Sequence, residues 1–322
     1  MGFKIYLAPM SGITDLPLRL ISRRFGAAQC FFEMLHSNSI IYGHPKNRRI
    51  LRTLKEDSPI AAQLLGADPG LMLDAAQKLI TLVDISFLDI NSACPVKKVV
   101  KKGEGAALLR NHAKLGRIIK KLSSGLEVPV TVKLRTGFDK RDVRECVRTA
   151  RLCEDKGASI VFIHGRTRLQ GYSGDVDYES IRAVKNALKI PVFGSGNIFN
   201  PVMAEKMFTE TGCDGILVAR GALGNPWIFR DIRQYLKNGK LPATRRLPVK
   251  IKALKEHLGY INKYNDMKGT HKSGLIGKVA MWYLKGFPNA SRVREKVFKM
   301  KSYDELINLI DNVVTESSQL TN

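Results

Sequence analysis

Cysteine is scarce in this chain of 322 residues, and what there is does not form a Cys-x-x-Cys pair. An odd count of five cysteines excludes a complete disulfide framework and argues against a zinc site of thiolates, so no metal site is predicted. Long apolar runs are also missing, because no window approaches the ~20 apolar residues of a membrane span. The N-terminal segment carries Lys4 and lacks the apolar stretch of a signal peptide. These absences favour a protein of the reducing cytoplasm without a membrane partner.

Acidic residues are few for a folded protein. The 29 Asp and Glu residues stand against 53 Lys and Arg residues, which gives a net charge of +24. The excess of positive charge runs through the whole chain and is not confined to one tail. Such an imbalance is typical of proteins that meet a polyanion, either nucleic acid or an anionic membrane surface. A basic surface that serves only solubility is the alternative.

Hydrophobic residues make up 44% of the chain, and over its first 228 residues they form short runs that alternate with amphipathic segments. Runs that are apolar on both faces are typical of parallel strands buried on both sides. Eight strands with helices between them predict a TIM (β/α)8 barrel, and the absence of Gly-x-Gly-x-x-Gly after the first strand disfavours a doubly wound sheet. The predicted strands are 5–8, 28–32, 60–65, 87–90, 130–134, 160–164, 192–194 and 215–218, and the predicted helices are 15–25, 69–83, 107–122, 141–156, 178–188 and 201–209.

The pattern changes after about residue 231. Turn residues and a pair of arginines predict a linker at 232–247. Beyond it, 16 Lys and Arg residues against 7 Asp and Glu give residues 240–322 a net charge of +9. We therefore divide the chain into a barrel domain at 1–235 and a small, basic, all-helical domain at 236–322. The predicted helices of this second domain are 249–264, 277–284, 291–298 and 303–315.

Residues at the carboxyl ends of the strands are the candidates for chemistry, because TIM barrels place their active sites there. Lys133 lies inside an apolar strand, where a charge needs an anionic partner. Glycines follow the seventh and eighth strands, which is the usual phosphate site of this fold. Gln63 and His164 end two further strands and have structural explanations when taken singly. The glycines of the predicted phosphate site are Gly194, Gly196 and Gly221.

Cys94 has a setting unlike that of the other cysteines. It follows Asn91 at a strand end, precedes Pro95, and is followed by lysines that would lower the pKa of its thiol if they came close. A general acid or a nucleophile is predicted at this position. The remaining cysteines, which we predict to be buried and inert, are Cys30, Cys146, Cys153 and Cys213.

Several stretches together resemble a known family. They are LAPMSGITDLPLR, QLLG, DINSACPVKKVVKKGEGAALL, VKLRTGFD, HGRTRLQGYSG, PVFGSGNI, ILVARGALGNPWIF and MWYLKGFP. In this order they are similar to the flavin-dependent tRNA-dihydrouridine synthases, most of all the bacterial B-type branch. The Asn-x-x-Cys-Pro loop and the HGRTR segment are the most specific of them.

The resemblance implies FMN at the mouth of the barrel. Two departures from the family affect the phosphate site: Ser195-Gly196-Asn197 stands where relatives have Asn-Gly-Asp, and Ala219 stands where they have glycine. The implied contacts are Pro9, Met10 and Ser11 along the ring, Gln63 and Lys133 at its polar edge, His164 beside it, and Ser195, Gly196, Asn197, Ala219 and Arg220 at the phosphate.

The resemblance also implies the reaction, which is reduction of the C5–C6 double bond of uridines in tRNA by FMN, with NADPH (or NADH) as reductant. Cys94 is the implied general acid, and the basic helical domain is implied to bind tRNA. No obligate protein partner is expected. The residues expected to contact the RNA substrate are Asn91, Lys97, Arg135, Arg166 and Arg168.

Two other functions fit parts of the pattern. An FMN-dependent reductase of a small free pyrimidine or another enoyl substrate would keep the barrel, but it would not need the basic helical domain. An RNA-binding protein on a catalytically inactive barrel would need neither Cys94 nor Lys133.

Overall fold

The computed structural model describes residues 2–267, 269–285, 295–297 and 303–319. Nine parallel strands in this part of the chain form one sheet, and consecutive strands are mostly neighbours in it. The strands are β1 (Lys4–Leu7), β2 (Cys30–Phe31), β3 (Leu35–His36), β4 (Ile60–Leu65), β5 (Leu88–Asn91), β6 (Val130–Arg135), β7 (Ile160–His164), β8 (Val192–Ser195) and β9 (Gly215–Val218).

The sheet closes on itself, which confirms the predicted barrel. Strand β9 pairs with β1, with Lys4 opposite Gly215. On the other side of β1, the backbone N–H of Leu7 donates to the carbonyl of Gln29 at 2.9 Å, just before β2. Strands β2 and β3 both pair with β4, so they are two halves of one barrel position. The nine strands therefore occupy the eight positions of a (β/α)8 barrel.

Helices cover the outside of the barrel, and many begin at a capping side chain. Asp15, Asp68, Asp142, Asp177 and Asn200 each accept a hydrogen bond from a backbone N–H three residues ahead, which the helix itself leaves free. The helices of this part are α1 (Leu16–Arg24), α2 (Ser37–Ile41), α3 (Lys46–Ile50), α4 (Pro69–Leu82), α5 (Lys97–Val100), α6 (His112–Gly125), α7 (Val143–Asp155), α8 (Tyr178–Ala187), α9 (Pro201–Thr211) and α10 (Ile228–Asn238).

The sequence pattern missed four short elements of the barrel. Helices α2, α3 and α5 have only four or five residues each, and strand β3 has two, which is too short for a period to show. The helix predicted at 107–122 begins only at His112, because Gly105–Arg110 forms a 3-10 helix before it.

Aromatic side chains fill the interior of the barrel. The rings of Tyr6 and Phe193 lie 4.7 Å apart, Phe162 and Phe193 5.2 Å, and Phe31 and Phe87 5.5 Å. Side chains two residues apart on a strand point to the same side. The side chains two residues beyond the aromatic ones also point into the barrel and form the next layer towards the carboxyl ends of the strands. This layer is polar and includes Asp89 and His164, which belong to the site described below.

The predicted linker at 232–247 is wrong in its first half. Helix α10 continues to Asn238 because Ile228, Phe229 and Ile232 pack into the barrel core. It therefore crosses the predicted domain boundary between 235 and 236, and the division into two domains stays a prediction.

Within the described residues that follow, three further helices have defined bounds, and they share a second hydrophobic core. They contact the barrel: Arg24 of α1 pairs with Glu256, and Arg52 Nη1 donates to the carbonyl of Tyr264 at 2.7 Å. The helix predicted at 277–284 begins earlier, because three weakly helix-forming glycines hide its first turns. The helix predicted at 291–298 lies largely outside the described residues. The three helices are α11 (Leu247–Tyr264), α12 (Gly269–Tyr283) and α13 (Tyr303–Gln319).

Candidate active site at the carboxyl end of the barrel

A chain of buried hydrogen bonds crosses three neighbouring strands. Asp89 accepts from Thr131 Oγ1 at 2.7 Å and from Gln63 Nε2 at 2.7 Å. Gln63 Oε1 in turn accepts from Asn91 Nδ2 at 2.8 Å. A carboxylate only accepts hydrogen bonds, so it fixes which end of each amide faces which neighbour. The chain therefore leaves the carbonyl of Asn91 directed away from Asp89.

That carbonyl holds the loop of Cys94. Asn91 Oδ1 accepts from the backbone N–H groups of Ala93 at 3.0 Å and Cys94 at 2.9 Å. The carbonyl of Cys94 accepts from the N–H of Ala106 at 3.1 Å. At Gly105, which has φ +59°, a Cβ would lie 2.9 Å from the carbonyl oxygen of Cys94, so the close approach of these segments requires glycine there. The loop is thus fixed by backbone contacts on both sides.

Burial raises the pKa of the Cys94 thiol above its ordinary value. A hydrogen bond from the backbone N–H of Val96 and the charge of Arg135 oppose this shift, and the charge of Glu104 adds to it. The thiol is therefore protonated at neutral pH, as a general acid must be. The other cysteines are buried, as predicted, and burial raises the pKa of both Cys30 and Cys146 to about 12.

Lys133 and Asp89 form a second part of the site. Burial and the nearby Arg135 lower the pKa of the Lys133 ammonium, and Asp89 opposes that shift. Burial raises the pKa of Asp89. Among the described residues, Lys133 Nζ has no carboxylate within ion-pair distance. An anionic or electron-rich group next to Lys133 would favour its charged form.

His164 is a neutral imidazole surrounded by positive charge. Burial lowers its pKa well below the ordinary value, and the charges of Lys133, Arg135, Arg166 and Arg220 lower it further. Its ring lies 6.3 Å from that of Tyr172. Four cations around one uncharged side chain mark a place that would stabilise an anion.

The loops after β8 and β9 approach each other closely. A Cβ on Gly221 would overlap with the carbonyl oxygen of Ile198, so only glycine fits. Asn197 has φ +50° and accepts from Arg166 Nη2 at 2.9 Å. The other terminal nitrogen of Arg166, Nη1, is buried without a hydrogen-bond partner in the structure. A buried, unsatisfied guanidinium donor beside these loops fits a phosphate group.

The arginines expected to contact RNA have different surroundings. Arg135 is buried and donates to the carbonyls of Ala93, at 2.6 Å, and of Thr167 and Gly171. Arg166 is buried too, whereas Arg168 is partly exposed and lies over the ring of Phe138 at 5.0 Å. Lys97 is exposed at the start of α5.

The segment after β1 is held from two directions. Met10 N–H donates to Thr14 Oγ1 at 2.8 Å, and the N–H of Gly12 donates to buried Glu33 at 2.6 Å. Lys278 of α12 donates to the carbonyl of Gly12 at 3.1 Å, so the helical region reaches the carboxyl end of the barrel. Pro9 and Met10 are half-buried there, and Ser11 is exposed.

Sequence reasoning missed Asp89 and Thr131, although one signal was available for the first. Asp89 is a charge inside an apolar strand, as Lys133 is, and the same argument would have selected it. Thr131 has no such signal, because threonine is common in strands.

Two classes of feature were not found among the described residues. None of their helices is long and apolar enough to span a membrane. The same residues contain no cluster of three His, Cys, Asp or Glu side chains that could hold a metal ion.

The closed barrel, with its polar and cation-rich carboxyl end, places this protein in the TIM-barrel class. Solved structures share this fold at low identity. The old yellow enzyme from Trypanosoma cruzi aligns with a TM-score of 0.55 and 10% identity over 77% of this chain and 91% of that one. A mutant morphinone reductase in complex with tetrahydroNAD aligns with a TM-score of 0.52 and 11% identity over 77% and 89% respectively.

The sequence matches the family described as Dihydrouridine synthase (Dus) over residues 6–319. It is 39% identical to tRNA-dihydrouridine synthase B of Pseudomonas aeruginosa over 94% of this chain and 90% of the relative. It is 34% identical to the probable tRNA-dihydrouridine synthase 1 of Synechocystis sp., over 97% and 86% respectively.

The chain therefore belongs to the dihydrouridine synthase family. This confirms the family predicted from the motifs and, with it, the prediction of a flavin-dependent oxidoreductase that reduces uridine. The free-pyrimidine alternative is not favoured.

Proposed function

We propose that this protein reduces the C5–C6 double bond of specific uridines in tRNA to 5,6-dihydrouridine, with FMN as cofactor and NADPH as reductant. One observation carries the proposal. The buried chain from Asp89 through Gln63 and Asn91 ends at the backbone of Cys94, whose thiol keeps its proton. A positioned, protonated thiol is what the second half of this reduction needs.

Lys133 and Arg166 support the cofactor assignment. When bound, the flavin supplies a hydride to C6 of the uracil ring. Lys133 would supply a cation that stabilises negative charge on the bound flavin, and the unpartnered Nη1 of Arg166 would add a donor near the phosphate loops. The residues proposed to hold FMN are Pro9, Met10, Ser11, Gln63, Lys133, His164, Ser195, Gly196, Asn197, Ala219 and Arg220.

Cys94 is the proposed general acid. The bound flavin would supply the hydride that adds at C6, and the Cys94 thiol donates its proton at C5, so that the C5–C6 double bond becomes a single bond. The resulting thiolate regains a proton from solvent. The raised pKa makes the thiol a weak acid in its ground state but keeps it protonated at every turnover near pH 7. Asn91 is a positioning residue in this scheme, because its carbonyl orients the loop through the N–H of Cys94.

A uridine stacked in folded tRNA cannot reach the end of the barrel, so the base must leave its stack. The exposed Lys97 and the partly exposed Arg168, together with the basic helical region, are proposed to contact phosphates. Arg135 and Arg166 have the hydrogen bonds of positioning residues, since both donate to loop carbonyls. All five cysteines are free, which suits the cytoplasm as the site of action.

The direct test is to map dihydrouridine across total RNA from a strain that lacks this protein. We expect one or a few tRNA positions to lose the modification and to regain it when the wild-type gene is restored. Restoring the Cys94→Ala variant should not regain it. A strain with unchanged dihydrouridine in all tRNAs would overturn the proposal. Comparing NADPH with NADH in flavin reduction by the purified protein decides the reductant.

A further inference from the structure

We propose that a groove on the outer wall of the barrel binds RNA phosphates, as a second contact surface apart from the carboxyl end and the helical region. This inference rests on the proposed function, because it takes tRNA as the partner. The groove, called here the α6 groove, has a volume of about 840 Å³ and lies between α6, the end of α7 and the start of α4. Its cations are Arg117, Lys120, Lys121 and Lys156.

All four of these cations are exposed, and no carboxylate lines the groove. Across the described ranges, the ion pairs of the barrel's outer helices involve other residues, such as Lys185 with Asp214 and Lys206 with Glu210. Unpaired like charges on a folded surface repel one another, and a polyanion removes that repulsion. The groove is therefore complementary in charge to a phosphate backbone.

Helix α6 arranges three of the cations on one face. Lys120 and Lys121 follow Arg117 by three and four residues, so the side chain of Arg117 is a neighbour of both on the helix surface. A row of cations along a concave surface can follow successive phosphates of one strand. Small residues form the floor: a Cβ on Gly116 would lie 3.4 Å from Leu152 Cδ1, so the two helices are already in close contact there.

A neighbouring groove provides the contrast. It has a volume of about 540 Å³, lies across His112 from the α6 groove, and also contains arginines. Three carboxylates line it, those of Asp139, Asp142 and Glu145. Two of its arginines are paired with them, Arg110 with Asp139 and Arg148 with Glu145. On the same wall of the barrel, the cations of one groove are thus largely balanced by carboxylates, and those of the α6 groove are not. The excess of positive charge in the α6 groove is therefore a local feature.

The shape of the α6 groove favours RNA over a membrane surface. Binding to a bilayer requires large apolar side chains that enter the headgroup layer. The exposed large apolar side chains of the described residues do not include any that line this groove. A substrate much larger than the barrel mouth can extend along the outer wall, and phosphate contacts there would be independent of sequence.

The test uses the full-length protein with an unmodified tRNA transcript, and measures Kd over a series of salt concentrations. The groove variant is Arg117→Gln/Lys120→Gln/Lys121→Gln/Lys156→Gln. The control variant Arg182→Gln/Lys189→Gln/Lys206→Gln/Lys237→Gln removes the same charge from α8, α9, α10 and the loop after α8. Neither variant changes a residue at the carboxyl end of the barrel. The flavin content per protein and the rate of NADPH oxidation should therefore equal those of wild type in both variants.

We expect the groove variant to bind tRNA at least about tenfold more weakly, with a log–log salt slope shallower by about 0.7–0.9 for each phosphate that the variant no longer neutralises. KM for tRNA should rise while kcat stays within about twofold. Equal effects of both variants would mean that only overall charge matters, and would overturn the inference. The inference would also be overturned if the groove variant lost binding to anionic phospholipid vesicles while its affinity for tRNA stayed at the wild-type value.

The proposed function fails separately. If wild-type protein bound no tRNA at any salt concentration, the function itself would be wrong. If wild-type protein bound tRNA with the expected salt dependence and the groove variant bound it equally tightly, only the inference about the groove would be wrong.

Discussion

Gln63 Nε2 donates to Asp89 Oδ2 at 2.7 Å inside the barrel, and this hydrogen bond sets the direction of every amide between Asp89 and Cys94. Because the carboxylate can only accept, Gln63 turns its carbonyl to Asn91, which turns its own carbonyl to the N–H groups of the Cys94 loop. A buried carboxylate that has no direct contact with the thiol thus positions the loop of Cys94, the proposed general acid.

Asp89→Asn should therefore lower kcat by about 10–100-fold, as removal of a supporting hydrogen-bond partner does in other sites. The amide can donate as well as accept, so the order of the chain is lost. In wild type, activity should also fall with decreasing pH as Asp89, whose pKa burial raises, takes up a proton. The variant should lack that inflection in its pH profile. The exposed Asp84→Asn variant is the control, and an inflection that persists in Asp89→Asn would contradict the assignment.

Lys133→Met should fold and bind FMN about 10–100-fold more weakly, because the variant lacks a charge-assisted hydrogen bond worth about 1.5–3 kcal/mol. The flavin absorbance per protein after gel filtration and the Kd from FMN titration measure this. Lys189→Met, on the exposed surface, should retain full flavin. A Lys133→Met protein with wild-type Kd and an unchanged rate of reduction by NADPH would remove Lys133 from the cofactor site.

Cys94→Ala should still bind flavin and accept hydride from NADPH, whereas reoxidation of the reduced enzyme by tRNA should slow by about 10²–10⁴-fold. Stopped-flow absorbance separates the two half-reactions. In wild type, the raised pKa of the thiol predicts a reoxidation rate that is level through neutral pH and falls only in the alkaline range. Cys213→Ala is the control at a buried cysteine. Normal reoxidation by Cys94→Ala would exclude the thiol as the acid.

Gly221→Ala should destabilise the protein by about 1–3 kcal/mol and reduce its flavin content, because the added methyl group meets the carbonyl of Ile198 and pushes the phosphate loops apart. Thermal unfolding with and without added FMN measures both effects. Gly259→Ala, at an open position inside α11, should be neutral or stabilising by up to about 1 kcal/mol. Similar melting temperatures for Gly221→Ala and wild type would contradict this prediction, because the two loops could then separate without a loss of stability.

The barrel was predictable because its signals are local. Short runs apolar on both faces, helix-patterned segments between them and capping Asp or Asn side chains each depend on a few consecutive residues. Cys94, Lys133 and His164 were selected as site candidates in the same way, since the fold places strand ends together. Helix α10 was missed although Ile228, Ile232 and Leu236 recur every four residues, which is the pattern of an amphipathic helix. The tertiary structure shows that this apolar face packs into the barrel core.

The sequence by itself determined the fold class, the family motifs, the excess of positive charge and the residue types at the carboxyl end of the barrel. The tertiary structure decided which of them act together. Asp89 reaches Cys94 only through side chains on two strands that are far apart in sequence, and burial rather than the neighbouring lysines sets the pKa of the thiol. Likewise, the sequence shows Arg135 and Arg166 only as basic residues. In the structure both are buried, and their guanidinium groups donate to loop carbonyls. Hydrogen-bond direction and desolvation depend on distances between segments, and only the folded chain defines those distances.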